Sequence, residues 1–116
     1  MAPDPVHFPE AGDLVWTDFD PTLGREQSGR RPALVVSPGA LAEKTGFLIV
    51  CPITSRIRPF PTSVVLPAGF PISGEILLNH IRSLDMLARR IHPMGARVPN
   101  DCAAEVRAKL AALISI

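Results

Sequence analysis

The alternation of apolar and polar side chains predicts a chain built mainly from short β-strands. Residues 13–19 alternate, with Leu14 and Trp16 on one face and Val15 on the other, as in a half-buried strand. Residues 32–37 and 47–54 are continuous apolar runs, typical of central strands. Shorter strands are predicted at 63–66 and 75–78, and residues 80–84 either extend the second of these or follow it as another strand. Residues 90–98 are ambiguous, a last strand being one interpretation.

The last segment, 100–116, contains neither proline nor glycine and has a different period. Val106, Leu110 and Leu113 recur at i, i+4 and i+7, which places them on one face of a helix. Asn100 is expected to be the N-cap, and acidic side chains follow where a helix dipole favours them. The pattern therefore predicts five or six strands followed by one C-terminal helix.

Composition narrows the class of protein. The chain of 116 residues has the length of one domain, and its 13 prolines and 8 glycines argue against a helix bundle. No apolar run approaches the roughly 20 residues of a membrane span, and the acidic, Pro-rich start is unlike a secretory signal. We expect a single domain over 1–116, with 1–10 as a flexible tail, in a reducing cytoplasm that suits two cysteines in apolar surroundings.

The charge is distributed unevenly along the chain. Residues 1–20 hold five acidic and no basic residues, whereas twelve basic and six acidic residues follow from Arg25 onward. Ten of the basic residues are arginine, whose planar fork of donors matches phosphate oxygens. An anionic partner is one interpretation, and a genomic bias towards arginine codons is the other.

Several kinds of site are excluded by spacing. The three histidines lie far apart without paired cysteine or acidic ligands, which argues against a dedicated zinc site. Gly24 and Gly29 have the spacing of a phosphate loop, but Arg30 and Arg31 follow where lysine and Ser/Thr are required. We expect no metal and no cofactor.

A phosphoryl-transfer site is one interpretation of two strand ends. Pro32 biases Arg31 towards an extended backbone at the start of a strand, and Thr54 ends an apolar strand with a hydroxyl group. An arginine fork and a hydroxyl that meet on one phosphate would form such a site. The alternative is a surface charge and a turn-forming threonine.

The motifs taken together resemble the MazF/PemK family of toxin endoribonucleases. The resemblance rests on 12–21 (GDLVWTDFDP), 24–37 (GREQSGRRPALVVS), 44–46 (KTG), 51–55 (CPITS), 59–61 (PFP) and 81–85 (IRSLD), and it spans about residues 11–115. It implies a small, strongly bent, SH3-like antiparallel sheet or partial barrel of five to seven strands with a C-terminal helix. It also implies a homodimer that cleaves single-stranded RNA without a metal, leaves a 2′,3′-cyclic phosphate and a 5′-hydroxyl, and is blocked by a MazE-like antitoxin.

The resemblance assigns catalytic residues. Arg31 and Thr54 match the active centre, and the loop residues Glu26 and Gln27 match the family's Glu and Gln. Because arginine stays charged in proteins, Arg31 is expected to stabilise the phosphorane rather than to act as a base. Glu26 is the nominated base, and an ion pair with a neighbouring arginine is the alternative.

An RNA groove would need basic side chains and a stacking surface. Phe60, between two prolines in a basic loop, is the stacking candidate, whereas Trp16 is expected in the core or a dimer interface. The other RNA-binding candidates are Gln27, Arg25, Arg30, Ser55, Arg56, Arg58, His80 and Arg82.

One departure from the family pattern is Asn79-His80, where many relatives carry an acidic residue and Gln. His80 has three interpretations: contact with a base, a structural role, or proton transfer. For Met86 and Leu87 an interaction patch and ordinary core packing are both open. Two other functions also remain: a CcdB-like toxin that inhibits a protein target without catalysis, and a catalytically silent RNA-binding relative.

Overall fold

The computed structural model describes residues 8–18 and 30–115, which form one antiparallel sheet with two helices. The strands are β1 (Asp13–Thr17), β2 (Arg31–Val35), β3 (Phe47–Thr54), β4 (Ser63–Val65), β5 (Glu75–Leu77), β6 (Arg82–Asp85) and β7 (Ile91–Arg97). The helices are α1 (Gly39–Thr45) and α2 (Asn100–Leu113), and a 3₁₀ turn spans Leu78–His80.

Strand β3 is the centre of the sheet. The strand order is β4-β5-β3-β2-β1-β7, and β6 also pairs with β3. On one edge β3 pairs with β2, and on the other it pairs first with β6 and then, at Ile53 and Thr54, with β5. Strands β4 and β7 end the order, so the sheet is open.

Both faces of the central strands are buried, as the continuous apolar runs predict. In β3, Leu48 and Val50 enter one core cluster, whereas Cys51 and Ile53 enter the other. Helix α2 covers the second cluster through Cys102 and Val106, and α1 contributes to the first. Successive side chains of a strand point to opposite faces, so apolar residues in continuous runs serve both cores.

The predicted fold class is confirmed. All seven strands begin and end within two residues of the predicted segments, and the ambiguous segment 90–98 contains β7. The C-terminal helix also forms, but Pro99 rather than Asn100 occupies the N-cap position, and Asn100 is the first helical residue. The predicted N-cap is therefore wrong by one residue. No described helix is long and apolar enough to cross a bilayer.

Helix α1 was not predicted from the sequence. It has only seven residues and begins at Gly39, directly after Pro38, and both residues are turn signals. Its start is stabilised by Glu10, because Gly39 N–H donates to Glu10 Oε1 at 2.9 Å. A Cβ atom at Gly39 would lie 2.6 Å from Glu10 Oε2, so glycine permits this approach.

The start of the chain is only partly described. Pro9 is buried and Glu10 binds Gly39, so these residues of the expected tail pack on the domain. Residues 1–7 of that tail lie outside the described residues.

The thiol of Cys51 provides a test of core burial. Cys51 is fully buried in β3, and this burial raises its pKa from the usual 9.0 to about 12. The folded state disfavours the thiolate, so the thiol's contribution to stability is complete below pH 9 and is lost as the pH rises towards 12. In a Cys102→Ala variant, we expect Ellman's reagent at pH 8 to label Cys51 only after unfolding in urea. Rapid labelling of the folded variant would contradict this prediction.

Candidate active site

Arg31 and Thr54 lie on neighbouring strands at the same edge of the sheet. Strands β2 and β3 pair Ala33 with Pro52, and this antiparallel register, continued by two residues, sets Arg31 level with Thr54. On its other edge Thr54 pairs with Glu75 of β5. Arginine, threonine and glutamate therefore form one row across three strands.

An open cleft of about 570 Å³ contains both predicted catalytic side chains that the structure describes, and we call it the Arg31 cleft. Arg31 is exposed at its rim, and Thr54 is half-buried. The cleft is lined by Trp16, Arg30, Arg31, Pro32, Pro52, Ile53, Thr54, Ser55, Ile72, Ser73, Leu77 and His80. It brings together a guanidinium group, hydroxyl groups and an imidazole, which are groups that bind phosphate or a base edge.

A second cleft of about 290 Å³ lies beside the first, and we call it the Phe60 cleft. It shares Thr54, Leu77 and His80 with the Arg31 cleft. Its other lining residues are Arg56, Arg58, Phe60, Thr62, Ser63, Glu75 and Asn79. Thr54 and His80 therefore lie at the boundary of two connected depressions, each of which carries arginine.

The hydroxyl group of Thr54 has a defined orientation. Its oxygen accepts a hydrogen bond from Arg56 N–H at 3.2 Å. A hydroxyl group has one proton to donate and two acceptor lone pairs. Since the bond from Arg56 uses a lone pair, the proton of Thr54 stays available as a donor to a bound oxygen.

Gly74 lets β5 approach Thr54 closely. A Cβ atom at Gly74 would overlap the backbone oxygen of Thr54 and lie 2.8 Å from Ile53 Cγ2. The backbone oxygen cannot move without moving the strand end that carries the hydroxyl group. The absence of a side chain at residue 74 therefore helps to define the position of Thr54.

Trp16 lines the Arg31 cleft instead of the core. It is half-buried and absent from both core clusters, and the guanidinium carbon of Arg30 lies 5.5 Å from its ring centroid. This distance suits a cation–π contact. Of the two expected positions, the core is wrong and the dimer interface stays a prediction, because alternation along β1 gives the face of Trp16 but not what covers that face.

Only some of the remaining RNA-binding candidates lie around the two clefts. Phe60 is 65% exposed, so it does not pack beneath its own loop. Ser55, Arg56, Arg58 and His80 are exposed around the two clefts, whereas Arg82 lies on β6 opposite Val50 and lines neither cleft. The sequence-predicted Arg25, Glu26 and Gln27 lie outside the described residues.

Leu87 and Met86 differ in exposure. Leu87 is 94% exposed, whereas Met86 is half-buried and packs against the core cluster that contains Leu48. Core packing therefore accounts for Met86, and Leu87 alone remains available at the surface.

Glu75 is the one carboxylate that lines the clefts in the described part of the chain, and sequence reasoning did not single it out. It is 2% exposed. The available signal was a single acidic residue at the start of an apolar strand, residues 75–78 (EILL). Within residues 8–18 and 30–115, no group of three His, Cys, Asp or Glu side chains is arranged to hold a metal ion.

Comparisons with known proteins cover almost the whole chain. Residues 10–114 match the family described as PemK-like, MazF-like toxin of type II toxin-antitoxin system. The chain is 38% identical to the endoribonuclease toxin MazF of Escherichia coli K12 over 108 residues, which cover 93% of this chain and 96% of that protein.

Solved structures give the same result. The crystal structure of MazF from Deinococcus radiodurans is 48% identical with a TM-score of 0.83, covering 96% of this chain and 100% of that one. The crystal structure of MazE-MazF from the same organism gives 44% identity and a TM-score of 0.82, covering 96% of this chain and 99% of that one.

The close approach at Gly74 can be tested by stability. We expect Gly74→Ala to lower the free energy of unfolding by roughly 1–3 kcal/mol, the usual cost of forcing extra atoms into a packed site. Urea denaturation measures this change. Ser73→Ala, at the exposed neighbouring residue, is the control and should change stability by less than about 0.5 kcal/mol. Equal stability of the two variants would mean that β5 does not approach Thr54 as closely as described.

Proposed function

Because this chain belongs to the PemK-like, MazF-like toxin family of type II toxin-antitoxin systems, we propose that it is a toxin that cleaves single-stranded RNA without a metal ion. The observation that carries the proposal is the Arg31 cleft, where a guanidinium group and a hydroxyl donor line one open surface. The related MazF of Escherichia coli is named an endoribonuclease toxin.

In the proposed reaction, the 2′-oxygen of the substrate attacks the adjacent phosphorus and the bond to the 5′-oxygen breaks. The products are a 2′,3′-cyclic phosphate and a 5′-hydroxyl. Arg31 stabilises the negative charge of the phosphorane, since a guanidinium group keeps its charge and donates in a planar fork. Thr54 donates its free proton to a non-bridging oxygen, in keeping with the acceptor role of its oxygen towards Arg56 N–H.

The base is proposed to be Glu26, on the resemblance alone. Glu75 is the carboxylate near the clefts among the described residues, but it is 2% exposed and already accepts hydrogen bonds from Arg58 N–H and Ser63 O–H. A general base must reach the proton that it removes. A carboxylate that is buried and already accepts two hydrogen bonds does not reach it. The proton taken from the 2′-hydroxyl group is balanced by one that the leaving 5′-oxygen receives from solvent.

We further propose that RNA crosses both clefts. Arg30, Arg31, Arg56 and Arg58 would neutralise phosphates along this route, with Phe60 as a stacking surface. His80, exposed at the boundary of the clefts, is proposed to contact a base. The half-buried Trp16 ring under Arg30 adds a second aromatic surface.

The proposed partners are a second copy of this chain and a MazE-like antitoxin. Support for the antitoxin comes from the related MazE-MazF structure. The 94% exposed Leu87 provides an apolar contact for either partner. We propose that the toxin acts in the cytoplasm, in keeping with two free, buried cysteines.

A cleavage assay tests the proposed chemistry. Purified protein in EDTA should cleave a mixed-sequence single-stranded RNA and leave a cyclic phosphate, identified by end-group analysis. Arg31→Ala should lower the rate about 10²–10³-fold, as loss of one donor to a developing oxyanion does, and Thr54→Ala should also lower it. Arg107→Ala, on α2 and outside the lining of both clefts, is the control and should retain the wild-type rate. Cleavage that survives Arg31→Ala would reject the proposed site, and no cleavage by wild-type protein would favour the protein-inhibitor or silent-binder function.

The salt dependence of binding tests the proposed RNA path. Each neutralised phosphate contributes about −0.7 to the slope of log K against log salt for single strands. With an RNA blocked at the 2′-position, Arg56→Ala should therefore make the slope shallower by about 0.7. Phe60→Ala and, at pH 8, His80→Ala should weaken binding at every salt concentration without changing the slope, because they remove stacking or base contacts. An Arg56→Ala slope equal to the wild-type slope would contradict the proposed route.

A further inference from the structure

The carboxylate of Glu75 is buried, and its pairing with Thr54 in the sheet does not explain this burial. The residue begins β5, faces Thr54 on one side and Val65 of β4 on the other, and is 2% exposed. Burying a carboxylate is costly unless donors replace its water. The donors that Glu75 binds therefore indicate what the carboxylate does.

The two carboxylate oxygens of Glu75 bind a surface segment and the strand that follows it. This segment is residues 55–62, which we call the basic loop. Oε1 accepts from Arg58 N–H at 2.6 Å, in the middle of the basic loop. Oε2 accepts from the hydroxyl group of Ser63, the first residue of β4. Ser63 in turn joins Phe60: Phe60 N–H donates to Ser63 Oγ at 3.3 Å, and Ser63 N–H donates to Phe60 O at 3.0 Å.

The basic loop has little else to hold it. Residues 55–61 are all exposed, including Ile57 at 46% and Phe60 at 65%. Apolar burial therefore cannot fix the loop, and its conformation must come from hydrogen bonds and from its two prolines. At its start, Arg56 N–H donates to Thr54 Oγ1. Along the rest of the loop, Glu75 and Ser63 bind residues 58 and 60, and Leu78 N–H donates to Thr62 O at 3.2 Å at the end of the loop.

We propose that Glu75 is a positioning residue: its buried carboxylate anchors the basic loop and thereby holds Arg56, Arg58 and Phe60 along the Phe60 cleft. The same anchor supports the donor that orients the Thr54 hydroxyl group, because Arg56 lies two residues before the bonded Arg58. The role in RNA binding rests on the proposed function, whereas the anchoring itself does not.

Three variants separate the anchor from general stability. Glu75→Met keeps a side chain of similar length but removes both acceptors, so Arg58 N–H loses its partner and the Ser63 hydroxyl group keeps only Phe60 O, 3.0 Å away. Glu75→Gln can accept from Arg58 N–H and donate to Ser63 Oγ, whose proton can turn to Phe60 O, 3.0 Å away. Val64→Ala is the matched control, because it opens a cavity at a buried residue of the adjoining β4 without touching the carboxylate.

Limited trypsin digestion of the folded protein reports on the loop without requiring nuclease activity. Trypsin cleaves after Arg56, whereas Pro59 protects the bond after Arg58, so mass spectrometry follows one scissile bond in the loop. Glu75→Met should speed cleavage after Arg56 about tenfold, the factor that corresponds to one lost buried hydrogen bond of about 1.4 kcal/mol. Glu75→Gln should stay within about twofold of wild type, since its acceptor towards Arg58 is retained.

The outcome that overturns the anchor is cleavage after Arg56 at the wild-type rate in Glu75→Met. An equal acceleration in Val64→Ala would overturn it as well, because general destabilisation would then explain the result. If Glu75→Met does not fold, as judged by circular dichroism, Ser63→Ala takes its place and should accelerate the same cleavage.

Binding of the 2′-blocked RNA then tests the consequence for the cleft. Glu75→Met should weaken binding about tenfold at low salt and make the salt slope shallower, whereas Glu75→Gln should restore both. Faster proteolysis with unchanged RNA affinity would keep the anchor and reject its role in RNA binding. Absence of RNA binding by wild-type protein would reject the proposed function and leave the proteolysis result intact.

Discussion

Strand β3 is buried on both faces and paired on both edges, and the position of the clefts depends on where that burial ends. Its residues Leu48, Val50, Cys51 and Ile53 fill two cores, one under each helix. A polar side chain is unfavourable at these buried positions, because an unpaired polar group there would lose its water without compensation. Thr54, at the end of the strand, is half-buried and presents its hydroxyl group to the Arg31 cleft.

The partners of β3 decide what surrounds that hydroxyl group. Strand β2 supplies Arg31 at the matching edge, and β5 supplies Glu75 from the other side. Gly74 allows β5 to approach, since a larger residue would overlap the Thr54 backbone oxygen. A positive and a negative side chain thus flank one threonine, but their environments differ: Arg31 is exposed, whereas Glu75 is buried and bound to backbone and hydroxyl donors.

Because their environments differ, Arg31 and Glu75 have different roles in the proposed site. An exposed guanidinium group can meet a phosphate directly, while a buried carboxylate acts on substrate only through the segment that it holds. The basic loop carries charge and an aromatic ring at the surface and so cannot contribute apolar burial to its own stability. Hydrogen bonds to the buried carboxylate of Glu75 hold it instead.

The sequence alone predicted the strands and the C-terminal helix, because alternation and apolar runs are local signals. It also placed Arg31 and Thr54 at strand ends, whereas their catalytic role follows from the resemblance and stays a prediction. It did not reveal α1, whose start depends on Glu10, 29 residues earlier. Nor did it reveal the cleft position of Trp16 or the partners of Glu75. A strand pattern gives the face of a side chain, but only the tertiary structure decides what lies opposite that face. Glu75 is a single acidic residue in an apolar strand, and its hydrogen bonds to Arg58 and Ser63, which are distant in sequence, connect it to the basic loop.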